Sequence, residues 1–321
     1  MITDKLKIKR ILPAVLALIL LFLAAGCEDV INVKLDNVEP RIVIEGFILE
    51  ENPPYAAVII HKTADFYRLS TFEMVDSAFV TIADDAGNID TLEQYDEGVY
   101  LSPFINPIVG RTYIASVTAE GVTYTAASTL PLPIAFDSLV TEYQPGGGFG
   151  YDADEGYRLH VFFTDRDSID EFCNIKVQVN DSLLTSYYLY DDQFSDGNVI
   201  NYEYFGDVFD LGDTIYVAMF SMDSTVYEYF SMLQHCIAYT DENTVEGIPA
   251  NPKSNWDNDA LGYFGAFNVT YDHICVVETD SLYTPAPPRK PPSRPLPFIQ
   301  LSILNCPDLS DIIAKARSSE R

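Results

Sequence analysis

Seven short β-forming runs occupy the stretch from Arg41 to Ser128, and turn-forming residues separate each run from the next. Apolar and polar residues alternate along the run 111–118, where Tyr113, Ala115 and Val117 share one face. Such alternation suits a sheet with one face buried and the other in water. Seven runs in about 90 residues match an immunoglobulin-like β-sandwich, which we predict over residues 39–130. The runs are 41–49, 55–62, 77–83, 88–94, 99–102, 111–118 and 122–128.

A stiff break follows, because residues 130–133 read Leu-Pro-Leu-Pro, and it predicts a domain boundary. We expect a second β-rich domain over residues 134–304, in which the Tyr-, Phe- and Asp-dense stretch 187–213 predicts no particular element. The Pro-rich segment 285–297 is typical of an extended chain, and residues 305–321 are expected to form a C-terminal tail. The β-forming runs of this half are 136–143, 157–165, 172–180, 214–221, 261–272 and 297–303.

One helix is predicted in this second half, near residues 225–238. Apolar residues recur there at the spacing of one helix face, which indicates a helix packed on the core. Thr225 and Glu228 stand three residues apart and resemble a capping box at its start. The apolar stripe consists of Val226, Tyr229 or Phe230, Leu233 and Ile237.

The first 26 residues have the pattern of a bacterial lipoprotein signal peptide. Four basic residues precede the uncharged run Ile11–Ala25, which is short for a membrane span and suits a signal-peptide core. The run ends in Leu-Ala-Ala-Gly-Cys27, which resembles a lipobox with its Leu one place earlier than usual. We expect cleavage before Cys27, lipid on its thiol, and a lipidated leader over residues 27–38. An ordinary secretory peptide or a single transmembrane anchor is the alternative.

The residues after Cys27 suggest where the lipoprotein is sent. Glu28 and Asp29 follow the cysteine directly. Acidic residues at these positions resemble a surface-export signal of Gram-negative bacteria. We therefore expect a lipid-anchored protein of the outer membrane that is exposed at the cell surface, with the periplasmic face as the alternative.

The charge of the chain limits its partners. The formal net charge is −29, and removal of residues 1–26 would take away four basic residues and one acidic residue, which leaves −32. A field of this sign repels nucleic acid and anionic lipid headgroups, so no nucleic-acid partner is expected. Disorder does not follow from the acidity, because 48% of the residues are hydrophobic.

Four further cysteines make disulfides conceivable in an exported protein. Four cysteines allow three pairings, and the sequence does not choose among them. Buried free thiols are the alternative, and a metal or redox site is not expected because no Cys-x-x-Cys spacing is present. The four are Cys173, Cys236, Cys275 and Cys306.

Two polar clusters are candidates for ligand binding. Asp165, Asp167 and Asp170 follow a predicted strand and offer the oxygen ligands that calcium prefers. They lack the glycine and the distal glutamate of a twelve-residue calcium loop, so a solvated turn is the alternative. Trp256 lies among Asn and Asp residues, where an exposed ring would stack on a sugar or a partner. The alternative is that Trp256 fills the sandwich core.

Aromatic residues in the stretch 187–213 are a further candidate contact surface. Tyr202 and Tyr204 are the residues that we would expect to contact a ligand or a partner, together with Trp256. The alternative is that they cover an edge of the core.

The order of short motifs along the mature chain resembles that of one known family. The motifs are Val43–Gly46, Ser77–Gly87, Gly98–Tyr100, Gly110–Tyr113, Phe136–Leu139, a strand that ends in Asp165, the Tyr-rich helix, and Gly262–Ala266. Together they resemble the lipoprotein family catalogued as domain of unknown function 4249. The resemblance implies a surface or periplasmic lipoprotein associated with TonB-dependent outer-membrane transporters, and it supplies no catalytic residues.

The sequence favours a binding function over an enzymatic one. The chain contains no GxSxG, HExxH or GxxxxGK[ST] motif, and we expect neither catalytic residues nor a cofactor. The leading hypothesis is a non-enzymatic envelope lipoprotein that assists a TonB-dependent outer-membrane transporter in ligand capture or uptake. A structural or adhesive surface lipoprotein is the alternative, and a secreted hydrolase that uses paired carboxylates is a third hypothesis.

Overall fold

The fold is described from a computed structural model. It describes residues 39–50, 54–64, 72–102, 105–147, 154–238 and 251–278, without positions 181, 185, 194, 196, 205 and 207. The chain is mainly β, as predicted. The first strands are β1 (Ile42–Glu50), β2 (Tyr55–Lys62), β3 (Phe79–Asp84), β4 (Ile89–Asp96), β5 (Val99–Ser102), β6 (Thr112–Ala119) and β7 (Val122–Thr129). The later elements are β8 (Phe136–Pro145), β9 (Glu155–Thr164), β10 (Phe172–Val179), β11 (Ser182–Leu183), β12 (Tyr188–Asp191), β13 (Val199–Glu203), β14 (Thr214–Met222), α1 (Ser224–Ala238) and β15 (Leu261–Cys275).

Two sheets contain all of these strands. The larger sheet has the order β11-β10-β14-β15-β1-β2-β5-β4-β3-β6-β7, and β12 also pairs with β10. The smaller sheet has the order β13-β9-β8. In the part of the chain that the structure describes, no helix is long and apolar enough to cross a membrane.

Strand β15 joins the two halves of the chain. It runs parallel to β1 from Val43–Leu261 to Glu50–Asn268, and its later residues pair with β14. The described residues from Pro40 onward accordingly form one compact unit. The Leu-Pro-Leu-Pro break at 130–133 therefore does not separate two compact units, contrary to the expected boundary. A local sequence pattern does not reveal a pairing between strands more than 200 residues apart.

A glycine makes this close pairing feasible. Gly262 lies opposite Ile44 and has a φ of +91°, in the region that side chains disfavour. A Cβ atom at residue 262 would lie 2.2 Å from the Ile44 carbonyl oxygen. The glycine therefore allows the β15 backbone to approach β1.

Three apolar clusters form the core, and β1 contributes to two of them. Its residues alternate between faces, so Ile44 and Ile48 pack against β3 and β6, whereas Phe47 and Leu49 pack under α1. The third cluster lies between the small sheet and the β10–β14 part of the large sheet. Burial on both faces explains why β1 and β2 are rich in apolar residues.

Helix α1 begins one residue earlier than predicted, and Asp223 is its N-cap. The Asp223 Oδ1 atom accepts a hydrogen bond from the Val226 amide at 3.0 Å. Thr225 lies inside the helix, so the predicted capping box with Glu228 is wrong. The Asp223 Oδ2 atom accepts from Ser128 Oγ at 2.5 Å and from the Thr129 amide at 2.9 Å. One carboxylate thus starts the helix and fastens it to β7.

The apolar stripe of α1 is buried over most of its length. Val226, Tyr229 and Phe230 are buried, and Leu233 packs against the same cluster. Ile237 departs from the prediction, because it is 52% exposed near the helix end.

Candidate binding site

Several predicted residues lie outside the described part of the chain. They are Cys27, Glu28, Asp29 and Cys306, and the Pro-rich segment 285–297, the run 297–303 and the tail 305–321 lie outside it as well.

Trp256 packs within the first apolar cluster of the core and does not face solvent. Its side chain is only 5% exposed, and its Nε1 atom donates a hydrogen bond to the Ile44 carbonyl oxygen at 2.9 Å. Its ring packs beside Phe264 with the ring centroids 6.0 Å apart. The expectation of an exposed stacking residue is therefore wrong, and the core-filling alternative describes Trp256.

The polar neighbours of Trp256 fasten the edge of β7. Asp257 accepts hydrogen bonds from the Thr125 amide at 2.7 Å and from its hydroxyl at 2.6 Å. Asn258 donates to the Thr123 carbonyl at 2.7 Å, and Asn255 donates to the carbonyls of Ala127 and Phe264. These side chains take the place of a neighbouring strand. The cluster that resembled a sugar site is therefore a structural clamp.

Tyr202 and Tyr204 differ in their accessibility. Tyr204 is buried between Tyr188 and Phe209, with ring centroids 4.7 and 5.5 Å away. Tyr202 lies on β13 opposite Val161 and is half-buried, and this burial raises the pKa of its hydroxyl. Tyr204 is consequently unsuited to the surface contact that we expected, whereas part of Tyr202 is accessible.

The turn after β9 does not gather calcium ligands. Asp165 is buried and accepts a hydrogen bond from the Gly197 amide at 2.9 Å, whereas Asp167 and Asp170 are exposed. Among the described residues, no group of three His, Cys, Asp or Glu side chains could hold a metal ion. The calcium prediction is therefore wrong for this turn.

An ion pair organises the same turn. The Arg166 guanidinium donates to the buried Glu171 carboxylate and to the Pro133 carbonyl, the latter at 3.1 Å. The pair thereby ties the β9–β10 turn to the end of the Leu-Pro-Leu-Pro stretch.

The cysteines within the described ranges do not pair with one another. Cys173 is buried, Cys236 is partly exposed and Cys275 is exposed, and no disulfide joins any two of them. Burial raises the pKa of the Cys173 thiol far above its usual range, so this thiol stays protonated. A disulfide between any two of these three cysteines is therefore excluded, as in the alternative of free thiols, and Cys306 lies outside the described residues.

A cleft of about 510 Å³ lies where β4 and β5 diverge. Strand β4 has eight residues and β5 has four, and they pair only from Glu93–Leu101 to Asp96–Val99. The first half of β4 therefore has β3 as its only neighbouring strand among the described residues. Ile105, Asn106 and Ile108 also line the cleft.

The lining of the cleft is acidic over an apolar base. Its carboxylates belong to Asp84, Asp90 and Glu93, and its apolar residues include Ile82, Leu101 and Ile105. A hydrogen bond from Asn88 lowers the pKa of Asp84, as do its contacts with Ala86 and Arg111. Asp84 is thus held ionised beside Arg111. The further carboxylates of Asp90 and Glu93 make the cleft favour cationic groups.

Hydrogen bonds fix the walls of the cleft. The Ser102 hydroxyl donates to the Asp90 carboxylate from the end of β5. The Tyr113 hydroxyl accepts a hydrogen bond from the Ile108 amide at 2.6 Å. Burial raises the pKa of Tyr113, so this hydroxyl remains neutral at physiological pH. These bonds link the end of β5 to β4 and Ile108 to β6.

Sequence reasoning missed this cleft, although a signal was present. The predicted run 99–102 is shorter than its partner 88–94 and is followed by Pro103. Proline has no amide hydrogen and ends a strand ladder. Unequal arms of a hairpin leave part of the longer arm unpaired.

In the described residues, these features define a mainly β protein with a clamped core, a packed helix and an acidic cleft beside an open strand. The chain belongs to the family described as Domain of unknown function (DUF4249), whose model matches residues 28–272. The match covers about three quarters of the chain and confirms the resemblance derived from the motifs. No curated protein matches the sequence.

Proposed function

We propose that this protein is a non-enzymatic, lipid-anchored protein of the bacterial outer membrane that assists a TonB-dependent transporter in ligand capture or uptake. The observation that carries the proposal is the N-terminal sequence, in which a basic start and an apolar run end at Cys27. The resemblance to DUF4249 lipoproteins supports the transporter as the partner. A structural or adhesive role is the second candidate, and the hydrolase hypothesis has no residues that favour it.

The distance from Cys27 to the fold supports a membrane-bound partner. Strand β1 begins at Ile42, fifteen residues after Cys27. Even a fully extended chain of this length spans at most about 50 Å. A lipid on Cys27 would therefore keep the cleft near the membrane and raise its effective concentration toward a membrane protein.

We also propose that the first seven strands form an immunoglobulin-like sandwich. The order β1-β2-β5-β4 and the order β3-β6-β7 correspond to the two sheets of a constant-type immunoglobulin domain. The first apolar cluster, which includes residues of β1, β2, β3 and β6, supports this arrangement. Pairing between β3 and β4 connects the two layers.

We expect Cys27→Ser to abolish lipidation and release the protein from the membrane, because serine does not accept the diacylglycerol group. Metabolic labelling with an alkyne fatty acid measures the loss.

Replacing Glu28 and Asp29 by alanine should leave the label intact but reduce cleavage by protease added to whole cells.

Cys275→Ser is the matched control, because Cys275 is an exposed cysteine on β15. It should keep both the label and the surface exposure. Equal labelling of Cys27→Ser and wild type would refute the anchor. Protease resistance on intact cells, with cleavage after lysis, would support the periplasmic face instead.

We expect affinity purification from cross-linked, detergent-solubilised membranes to recover a TonB-dependent transporter with the wild-type protein. Recovery with Cys27→Ser should fall several-fold, since the tether that raises the local concentration is gone. Repeated purifications without a transporter would contradict the proposal. Glycan or peptide hydrolysis by the purified protein would then favour the enzyme, and binding to surfaces the adhesive role.

A further inference from the structure

We propose that the unpaired edge of β4 at residues 89–92 is a binding site for an extended, basic polypeptide segment of another protein, which adds to the sheet as a further strand. The inference goes beyond the proposed function, because it names a surface and a partner chemistry without requiring a transporter.

Two residues of β4 direct their backbone amide and carbonyl groups toward the cleft. The Asp84 amide donates to the Asn88 carbonyl at 2.9 Å, and the register continues through Ile82–Asp90 and Val80–Leu92. Antiparallel ladders alternate, so these residues bond across to β3 while those between them face away. The amide and carbonyl groups of Ile89 and Thr91 therefore face the side where β5 has ended.

The lining residues that follow β5 in the chain form no strand within the described ranges. Strand β5 stops at Ser102, and Pro103 follows it in the sequence. The next described residues, 105–108, are held through Ile108 to the Tyr113 hydroxyl. The cleft that these residues and the edge of β4 line has a volume of about 510 Å³. The edge and the space that a strand needs are thus both present.

The outer edge of β7, three strands from β4 in the same sheet, shows how this fold protects an edge. The outer side of β7 is occupied by the side chains of Asp257, Asn258 and Asn255, which hydrogen-bond its backbone. Proteins generally cover or block edges in this way, because a bare edge invites another strand. No such clamp meets Ile89 or Thr91 among the described residues, so the edge of β4 is available for pairing.

Charge selects the kind of segment that fits. Asp84, Asp90 and Glu93 line the cleft, and the chain carries a formal net charge of −29. Because Arg111 is already paired with Asp84 at 3.0 Å and Asp85 at 3.4 Å, Asp90 and Glu93 are the lining carboxylates left to attract a basic segment. Lysine and arginine can lay their aliphatic stems along apolar surface, here near Ile82. A segment that alternates basic with small or β-branched residues therefore matches both backbone and lining.

The test uses a fluorescein-labelled ten-residue peptide that alternates Lys with Val or Thr, titrated with the mature protein by fluorescence anisotropy. N-methylation of alternate amides on one edge of the peptide should weaken binding about tenfold, because it removes strand pairing. The same modification on the other edge should change little. A peptide with Glu in place of Lys should not bind detectably.

Variants of the protein locate the site. Thr91→Pro should weaken binding, because it removes an edge amide that faces away from β3. Asp90→Asn should also weaken peptide binding and should make that binding less dependent on salt. This second variant still tests the site if Thr91→Pro fails to fold. Asp154→Asn is the matched control, since Asp154 is an exposed acid outside the cleft lining.

Three results would overturn the inference. Failure of every peptide to bind would exclude the site. Equal affinity for both N-methylated peptides would mean that charge alone attracts them. Binding only after deletion of residues 285–303, which include three basic residues, would mean that the chain's own segment occupies the edge.

Discussion

Trp256→Ala is expected to lower the free energy of unfolding by about 3–5 kcal/mol. The side chain is 5% exposed within the first apolar cluster, so alanine would leave a large cavity there. It would also leave the Ile44 carbonyl without the indole donor at 2.9 Å. Urea unfolding measured by far-UV circular dichroism gives the difference, because the variant lacks the only tryptophan.

Trp256→Phe separates the two contributions. A phenyl ring retains most of the packing but not the hydrogen bond, so we expect a loss of about 1–2 kcal/mol. Stabilities of both variants close to that of the wild type would mean that Trp256 does not fill the core as described.

Lys176→Met is expected to raise the free energy of unfolding by about 2–3 kcal/mol at pH 7. Lys176 is 1% exposed, and burial lowers the pKa of its ammonium group to about 8. Its Nζ atom contacts the Ser186 carbonyl at 3.3 Å and the Tyr187 ring centroid at 4.1 Å. Neither group is a carboxylate, and no ion pair of Lys176 occurs among the described residues. Methionine would fill a similar volume without a buried charge.

The advantage of methionine should depend on pH. Between pH 8 and the ordinary lysine value of 10.5, the unfolded state binds the proton that the folded state has lost. The free energy of unfolding of the wild-type protein therefore rises with pH across this window, because of Lys176. The difference between variant and wild type should be largest below pH 8 and shrink toward pH 10.5.

Lys253→Met is the matched control, because its side chain is 66% exposed and its ion pair with Glu228 lies at the surface. It should change the stability little at either pH. A Lys176→Met difference that is equal at pH 7 and pH 10 would mean that desolvation does not lower this pKa.

Local patterns predicted the strands well because each strand carries its own evidence. The run 55–62 matches β2 and the run 99–102 matches β5 residue for residue. The pairing of β1 with β15 was not predictable in this way, since the sequence of neither strand indicates which distant strand lies beside it. Gly262 is a sign of that close contact in the sequence, but a glycine in a strand has several explanations.

The candidate site was harder to predict, because the same residue types serve structure and binding. Asn255, Asp257 and Asn258 resemble a polar ligand site in sequence, yet they bond the backbone of β7. Trp256 among them is buried by β1, far away in the chain. The cleft arises from a missing strand partner, which a search for chemically active side chains overlooks.

The parallel pairing of β1 with β15 limits the order in which the strands can pair while the chain is being synthesised. A ribosome makes Ile42–Glu50 first, yet one side of this strand stays bare until Leu261–Cys275 has been made. Contacts between such distant segments are slow to form, because a long loop must close before any of them contributes. Until then β1 has β2 as its strand partner, and Phe47 and Leu49 lack the cover of α1 until that helix has been made. The side of β1 that receives β15 therefore stays open to other strands until the residues up to Asn268 have been made.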